Sequence, residues 1–482
     1  RMISDVVVLG GGPSGVVAAL RARELGASVA IVERDRLGGT CTNDGCVPTR
    51  VLAKAARLLR DAQQFETYGL VGGTIPRPDF ARIMDRTRAI VEDIHSKKEL
   101  LRHFDRAGIT AYVGVGNAKF VNPNTVETAD GQRIEGKKFI ICVGGRARKL
   151  PFPGAEHTLT HSDVWQLKQQ PDSVVIVGSG ATGCQLASVF EAFGTHVTLL
   201  DIAPRILMGE DADVSEHVMR EFLANGIDVL VGTEGIMRVE KNATNLTFVY
   251  GDDGMEKTIN TDAVIMAVGW PGNTDSLGLE AAGVETERSY ISVDDNLRTT
   301  ADHIFAAGDI TGRMMLVQSA SDQARTAVEN ALLNANEREA HRLVPHGGFT
   351  DPEYGSVGLT EIQAREKFDV LVATVPYRDL DRAVIDDREV GFCKLVVDRG
   401  THQVIGAHVV GEQAVEIVSM VSAGMAAGMT IEQLADLQLA YPTFAAVVGL
   451  AAREITREIG ITPGAPVWRA MMSERAAEWE RA

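Results

Sequence analysis

One local pattern occurs twice in this chain, and no other feature limits the fold as strongly. It is a short apolar strand, a glycine-rich turn, a helix, a second strand and an acidic residue at the end of that strand. In the first copy DVVVL at 5–9 leads into Gly10-Gly11-Gly12-Pro13-Ser14-Gly15. The helical run VVAALRARELG follows, then SVAIVER with Glu33 and Arg34 at its end. The glycines permit the tight turn and let backbone amides approach a pyrophosphate, which sits at the positive helix N-terminus. Glu33 can accept from both hydroxyls of an adenosine ribose. A glycine turn alone is weak evidence. The full unit, with the acid at this distance, reads as a dinucleotide cradle and not merely as a tight strand–helix turn. In the second copy SVVIVGSGATG supplies Gly178, Gly180 and Gly183, the helix QLASVFEAFG follows, and HVTLLD ends in Asp201. Two such units imply an α/β protein with two dinucleotides, one held permanently and one exchanging. A carboxylate at 201 bonds a free 2′-hydroxyl and repels a 2′-phosphate, so NADH is favoured over NADPH. Arg205, four residues on, could still reach a phosphate.

Composition narrows the partners. The 482 residues are enough for two or three domains. The net charge is 48 − 65 = −17, which argues against nucleic acid as the main partner. No run of about 18 apolar residues marks a membrane span. RMISDVVVLGGG runs straight into a strand, with no signal peptide visible. Five cysteines, at 41, 46, 142, 184 and 393, are too few for a secreted disulfide framework. The expectation is a cytoplasmic protein.

The stretch GGTCTNDGCVPTR at 38–50 holds a close cysteine pair where the chain leaves a loop and enters the helical run PTRVLAKAARLLRDAQQF. A helix N-terminus stabilises a thiolate. The four-residue spacer places Cys41 and Cys46 on neighbouring turns of a helix start, close enough to bridge. Zinc is the competing reading, but no second CxxC or histidine pair offers the remaining ligands. The histidines form no metal-spaced cluster, and no metal site is expected. Cys142, Cys184 and Cys393 read as small packed apolar side chains.

With these motifs in place, the chain resembles the FAD-dependent pyridine nucleotide–disulfide oxidoreductases, the family of lipoamide dehydrogenase, glutathione reductase and mercuric reductase. The resemblance covers roughly residues 3–458. It rests on the order of the first glycine turn, the GGTCxNxGCxP stretch, KKFIICVGGRARKLPFPG, the second glycine turn, IFAAGDITGRMML and FTDPEYGSVGLTE. It implies two Rossmann-like dinucleotide-binding domains and a C-terminal α+β dimerisation domain. The FAD domain would span 1–148 and 273–340, the NAD(P) domain 149–272 and the interface domain 341–458. The implied cofactors are FAD and NAD(P)H. By resemblance Asp309 contacts FAD, Gly116-Asn117-Ala118 lies near the adenine, and Gly144 matches a family glycine. Gly39 and Thr40 of the redox stretch, Gly269 of AVGWPGN and Leu316 of IFAAGDITGRMML are assigned to the same cofactor contacts. Cys46 is implied as the thiolate nearer the flavin and Cys41 as the thiol that meets the substrate. A homodimer with a shared active site is implied, with Tyr441 reaching the partner subunit's Cys41.

Several positions depart from the family pattern. Disulfide reductases carry a histidine oriented by a glutamate near the C-terminus. Here Tyr441 and Ala446 stand at those positions, and tyrosine is a poor base at neutral pH. The nearest upstream histidine, His408, looks like an ordinary strand residue. Mercuric reductases also place tyrosine there, but their full pattern adds a C-terminal cysteine pair and an N-terminal metal-binding domain. Neither is read here, since no cysteine follows Cys393. Soluble transhydrogenases share the tyrosine but have lost one redox cysteine. The family's lysine–glutamate pair near flavin N5 becomes Arg50 and Gln185. Its nicotinamide-lidding aromatic becomes Ala181, and Trp270 stands where arginine is common. These changes are read as a retuning of hydride transfer.

The favoured expectation is an NAD(P)H-dependent flavoprotein that passes electrons through the Cys41–Cys46 disulfide to a thiol-liganded metal ion or an atypical disulfide. The alternatives are direct transfer from FAD to a quinone, oxygen or a second nicotinamide, or a redox-sensing binding protein. Lipoamide dehydrogenase proper is disfavoured because its base is missing. The tail 459–482 is read as a helix, docked or partner-binding, after a linker marked by Pro463 and Pro466.

Overall fold

The computed structural model describes residues 3–339, 343–461 and 478. Four parallel strands form the first sheet's core, in the order Thr110–Val113, Val29–Glu33, Ser4–Leu9, Arg133–Ile141. Parallel strands are covered on both faces, so they need continuous apolar runs. Val6, Val7 and Val8 are all fully buried. The short strand Ile304–Ala306 returns from far along the chain and pairs in parallel with the last residues of the strand Arg133–Ile141, Ile304 opposite Phe139. The carboxyl ends of three strands therefore emerge together, and Gly10, Cys142 to Gly144 and Asp309 share one edge. In open α/β sheets this is the edge that binds ligands.

The second sheet is wholly parallel, in the order Asp228–Leu230, His196–Leu200, Ser173–Val177, Ala263–Met266, Leu159–Thr160. An antiparallel meander, Gly235–Lys241, Leu246–Asp252 and Met255–Thr261, packs beside it. The third large sheet is antiparallel and ordered His346–Gly348, Tyr354–Gly358, Val404–Val410, Phe392–Asp398, Val370–Pro376. The helices Ala414–Ala426 and Ala446–Glu458 cover it.

The two cradles repeat each other in detail. Their helices run Pro13–Glu24 and Ala181–Ala192, with N-caps at φ −74°, ψ −174° for Gly12 and φ −73°, ψ −172° for Gly180. Both helices start before the apolar runs suggested by the sequence. Their first amides are needed at the turn, and Pro13 costs nothing at a position whose N–H has no helical partner. A Cβ on Gly15 would lie 1.8 Å from the Gly10 carbonyl oxygen, and one on Gly183 would lie 1.8 Å from that of Gly178. Only glycine allows helix and strand to approach this closely.

A buried ionic cluster joins the segment after the second cradle to the third sheet. Lys394 Nζ, 3% exposed, lies 3.0 Å from Asp211, 2.8 Å from Asp213 and 2.5 Å from Glu361. Lys394→Met should lower unfolding stability by about 3–5 kcal/mol, because it leaves Asp211 buried without its cation. A denaturation midpoint unmoved in that variant would disprove the assignment.

No helix among the described residues is long and apolar enough to cross a membrane. Apart from 459–461 and Glu478, the helix expected for the tail lies outside the described residues.

Candidate active site

The redox stretch differs from expectation in one respect. The two sulfurs do not sit on consecutive turns of one helix. Cys41 belongs to a short helix, Gly39–Asn43, and Cys46 opens the next, Cys46–Gln63. Gly45, at φ −133° and ψ −97°, breaks the path between them. Pro48 is accommodated in the first turn of the second helix, where its missing N–H is no loss. The stretch is pinned to the first cradle: the Gly38 N–H donates to the Gly11 carbonyl at 2.8 Å. A Cβ on Gly39 (φ 60°) would lie 2.6 Å from Gly12 Cα. Backbone contact this close explains glycine at position 39.

Both cysteines are free thiols, Cys41 half-buried and Cys46 exposed. The Cys41 thiol donates to the Cys46 sulfur. That bond is the main cause of a Cys46 pKa lowered to about 7, and it holds the Cys41 thiol well above its ordinary value. Cys46 also sits at the helix N-terminus, where amides favour an anion. The two sulfurs are thus unequal before any ligand is considered. Burial pushes Cys142 and Cys393 up to about 12 and raises Cys184 further, which leaves these three inert.

Charged groups converge on the pair. The Lys98 ammonium favours both thiolates, and the Asp309 carboxylate opposes them. Asp309 Oδ2 accepts from the Trp270 indole at 3.0 Å. Trp270 was noted in the sequence only as an unusual residue. Here it holds a carboxylate whose charge bears on both sulfurs. Asp44, in the spacer, is gripped by one turn of chain. His161 Nε2 lies 3.2 Å from its carboxylate, Ser162 Oγ donates to it at 2.5 Å, and Trp165 Nε1 donates to its carbonyl at 2.9 Å. The sequence offered no reason to separate His161 or Lys98 from other surface or packed residues.

The first cradle fits a dinucleotide. Glu33 Oε2 accepts from the Gly11 N–H at 2.6 Å, and its other oxygen accepts from Asp35 at 2.9 Å. One cavity is lined by Gly10, Glu33, Arg34, Asn117, Ala118 and Val143. Arg34 Nε pairs with Asp35 at 2.7 Å on the rim. Ser14, near Cys142, is buried. Gly144 has φ 64°, and Asn273 steadies its neighbours by donating to the carbonyls of Val143 and Gly145 at 2.9 and 3.1 Å. Leu316 precedes the helix Val317–Leu333. Thr40 closes the redox turn by accepting from the Asp44 N–H at 2.8 Å.

In the second cradle Asp201 lies one residue past the strand. Its Oδ2 accepts from the Ser179 N–H at 2.6 Å and from the Ser179 hydroxyl at 2.7 Å. The sequence left Arg205 free to reach a phosphate. The structure commits it elsewhere: its guanidinium donates to the carbonyls of Leu207, Met208 and Glu210, each at 3.1 Å. A Cβ on Gly180 would meet nothing within 4 Å, so this turn faces open space. Gly269 (φ 125°) accepts from the Arg148 N–H at 3.0 Å near the same junction.

Arg50 and Gln185 are brought together, but through a third residue. The Arg50 guanidinium lies 3.4 Å from the centroid of the Phe349 ring. The Phe349 N–H donates to the Gln185 side-chain oxygen at 3.2 Å, and Gln185 Nε2 donates to Ala181 at 3.0 Å. A neutral amide cannot pair with a guanidinium as a carboxylate would, so an aromatic face takes the cation. Tyr441 is 59% exposed and donates to Asp381 Oδ2 at 2.6 Å. That bond raises its pKa, making it a still poorer base. His408 is buried, held by Ser356 and the Leu359 carbonyl.

Comparison with known proteins agrees with this geometry. Residues 4–324 match the family model for pyridine nucleotide-disulphide oxidoreductases, and 344–452 match its dimerisation domain. A mercuric reductase of Staphylococcus aureus is 32% identical over 461 residues, covering 94% of this chain and 83% of that one. A dihydrolipoyl dehydrogenase of Zymomonas mobilis is 33% identical over 453 residues, covering 91% and 95%. Among solved structures, the Cu(II) complex of the HOCl-induced flavoprotein disulfide reductase RclA from Escherichia coli superimposes with a TM-score of 0.83. It is 27% identical, with 94% of this chain and 100% of that one covered. The chain therefore belongs to the pyridine nucleotide–disulphide oxidoreductases, an FAD-dependent family of NAD(P)H-using enzymes whose dimerisation domain implies a homodimer.

Proposed function

We propose that this protein is an NADH-dependent flavoprotein reductase whose Cys41–Cys46 disulfide passes electrons to a thiol-liganded metal ion or an atypical disulfide. The observation that carries the reading is the asymmetric dithiol together with tyrosine, not histidine, at position 441, where the resemblance puts the base. Cys46 is poised as a thiolate by the Cys41 thiol, while Tyr441 is tied to Asp381. Reduction of an ordinary disulfide needs a group that takes a proton from the attacking thiol and returns one to the leaving thiol. A metal ion carried by thiols needs less of that service. Relatives named as mercuric reductases, and a structural neighbour described as a Cu(II) complex, support a metal acceptor.

FAD, when bound, supplies the two-electron link between a reduced nicotinamide and the disulfide. Gly10, Gly12, Pro13, Ser14 and Gly15 would cradle its pyrophosphate, Glu33 its ribose and Asp309 the region toward the sulfurs. We assign the FAD domain to 1–148 and 273–340, the NAD(P) domain to 149–272 and the interface domain to 341–458. In a dimer Tyr441 would approach the partner subunit's Cys41.

Asp201 and the committed Arg205 support NADH over NADPH. Asp201→Ser should lower the NADH:NADPH ratio of kcat/KM at least about ten-fold, the size of one charge-assisted hydrogen bond. A ratio that does not move would remove the basis for the preference.

The reading as a whole is tested by anaerobic NADH titration followed by visible absorbance. A broad long-wavelength band with the flavin still oxidised places electrons on the dithiol and supports it. Direct bleaching with no such band takes the dithiol out of the circuit and sinks it.

A further inference from the structure

We propose that Lys98 is a specificity-determining residue, which admits acceptors carrying negative charge to Cys41 in preference to neutral or cationic ones. The inference rests on the reading of Cys41 as the thiol that meets the acceptor. Lys98 ends the helix Phe80–Lys98, which packs against both helices that carry the cysteines. Two contacts stitch the last turns of this helix to the redox stretch and the residues just before it. Glu92 pairs with Arg36 at 2.7 Å, and Lys98 Nζ donates to Thr42 Oγ1 at 2.6 Å. Thr42 is fully buried and adjoins Cys41. The hydroxyl thus fixes the ammonium beside the helix that presents the interchange thiol.

Lys98 itself is exposed, so an arriving molecule meets it. Among the described residues no carboxylate lies within ion-pair distance of it. The neighbouring Glu99 is taken by Arg102 at 3.1 Å. Its charge favours the thiolate form of both sulfurs. The rest of the protein pulls the other way. A net charge of −17 repels anions over most of the surface. An unneutralised cation at the thiol is what would let an anionic acceptor, such as a metal ion wrapped in thiolates or a carboxylate-bearing disulfide, approach the last few ångströms.

The test compares two alkylating reagents that differ only in charge. Holoenzyme is reduced with a water-soluble phosphine, desalted anaerobically and treated with iodoacetate or iodoacetamide. In each case the thiolate displaces iodide and forms a thioether, so differences in thiolate content cancel in the ratio of the two rates. The modified cysteine is mapped by mass spectrometry. Lys98→Met should lower the iodoacetate:iodoacetamide ratio at Cys41 about five-fold, the effect of one charge at about 4 Å in water. Lys98→Glu should lower it further, and Lys98→Arg should hold it near wild type. In the unmutated enzyme, raising the ionic strength from about 0.01 to 1 M should lower the ratio in the same direction. A ratio indifferent both to salt and to the substitutions overturns the Lys98 inference alone. Bound FAD would cover Cys46 in the holoenzyme and leave Cys41 as the thiol open to reagent, so a label that still maps only to Cys46 overturns the assignment of Cys41 on which the inference rests.

Discussion

Cys41→Ser should lower NADH-dependent turnover of a metal or disulfide acceptor by about a thousand-fold or more, roughly 4 kcal/mol of lost transition-state stabilisation. The reason is covalent. On the proposed reading Cys41 attacks the acceptor and Cys46 then closes on Cys41 to release it, returning the pair to a disulfide with two electrons transferred. A serine hydroxyl cannot take part in either exchange. It can still donate a hydrogen bond to Cys46, as the thiol does. The Cys46 thiolate should therefore persist in Cys41→Ser and weaken in Cys41→Ala, where the donor is lost and the pKa climbs back from about 7 toward that of an ordinary thiol. In the alanine variant the fraction of thiolate at neutral pH falls, and more alkaline buffer restores it. The measurement is the pH profile of the long-wavelength absorbance in both variants, alongside steady-state rates. Unchanged turnover in Cys41→Ser would mean that electrons leave from FAD directly, and quinone, oxygen or a second nicotinamide would become the acceptors to pursue.

The second large effect separates the two roles of glycine in one turn. Gly180→Val should raise the KM for NADH about a hundred-fold, roughly 3 kcal/mol, while leaving the protein yellow and folded. A Cβ at 180 meets nothing, and its φ of −73° suits any residue. The added side chain would instead fill the space a pyrophosphate needs. Gly183→Ala, three residues on, should behave oppositely. Its Cβ would lie 1.8 Å from the Gly178 carbonyl oxygen, so helix and strand must part and the protein should lose stability. Thermal unfolding with FAD retained, together with KM values for both variants, decides the matter. A Gly180→Val enzyme that binds NADH normally would place the exchanging nucleotide elsewhere.

Much of the site was legible before any coordinates, because its parts are local. A glycine turn between strand and helix, an acid at the next strand's end and a close cysteine pair each satisfy a constraint within about thirty residues of chain. The sequence put Gly10 to Gly15 and Gly178 to Gly183 in strand–helix turns and Glu33 and Asp201 at strand ends, and the structure has those turns and strand ends. The family resemblance also put Tyr441 at the position where disulfide reductases carry a histidine. The sequence erred on the break between the cysteines, since Gly45 conforms to no simple helix-start rule. It also left Arg205 open, because a guanidinium bound by three loop carbonyls has no sequence signature.

What the sequence determined alone is the class of fold, the two nucleotide cradles and the dithiol. Backbone geometry there is dictated by glycine, proline and strand periodicity, which act on neighbours. Only the tertiary structure decided what surrounds the sulfurs. Lys98, His161, Trp270 and Asp309 lie dozens to hundreds of positions from Cys41, and Phe349, just past the strand His346–Gly348, joins Arg50 on one helix to Gln185 on another. Electrostatics depends on distance through space. The long-range pairing that returns Ile304–Ala306 to the first sheet, and the packing of Phe80–Lys98 against the redox helices, bring those charges together.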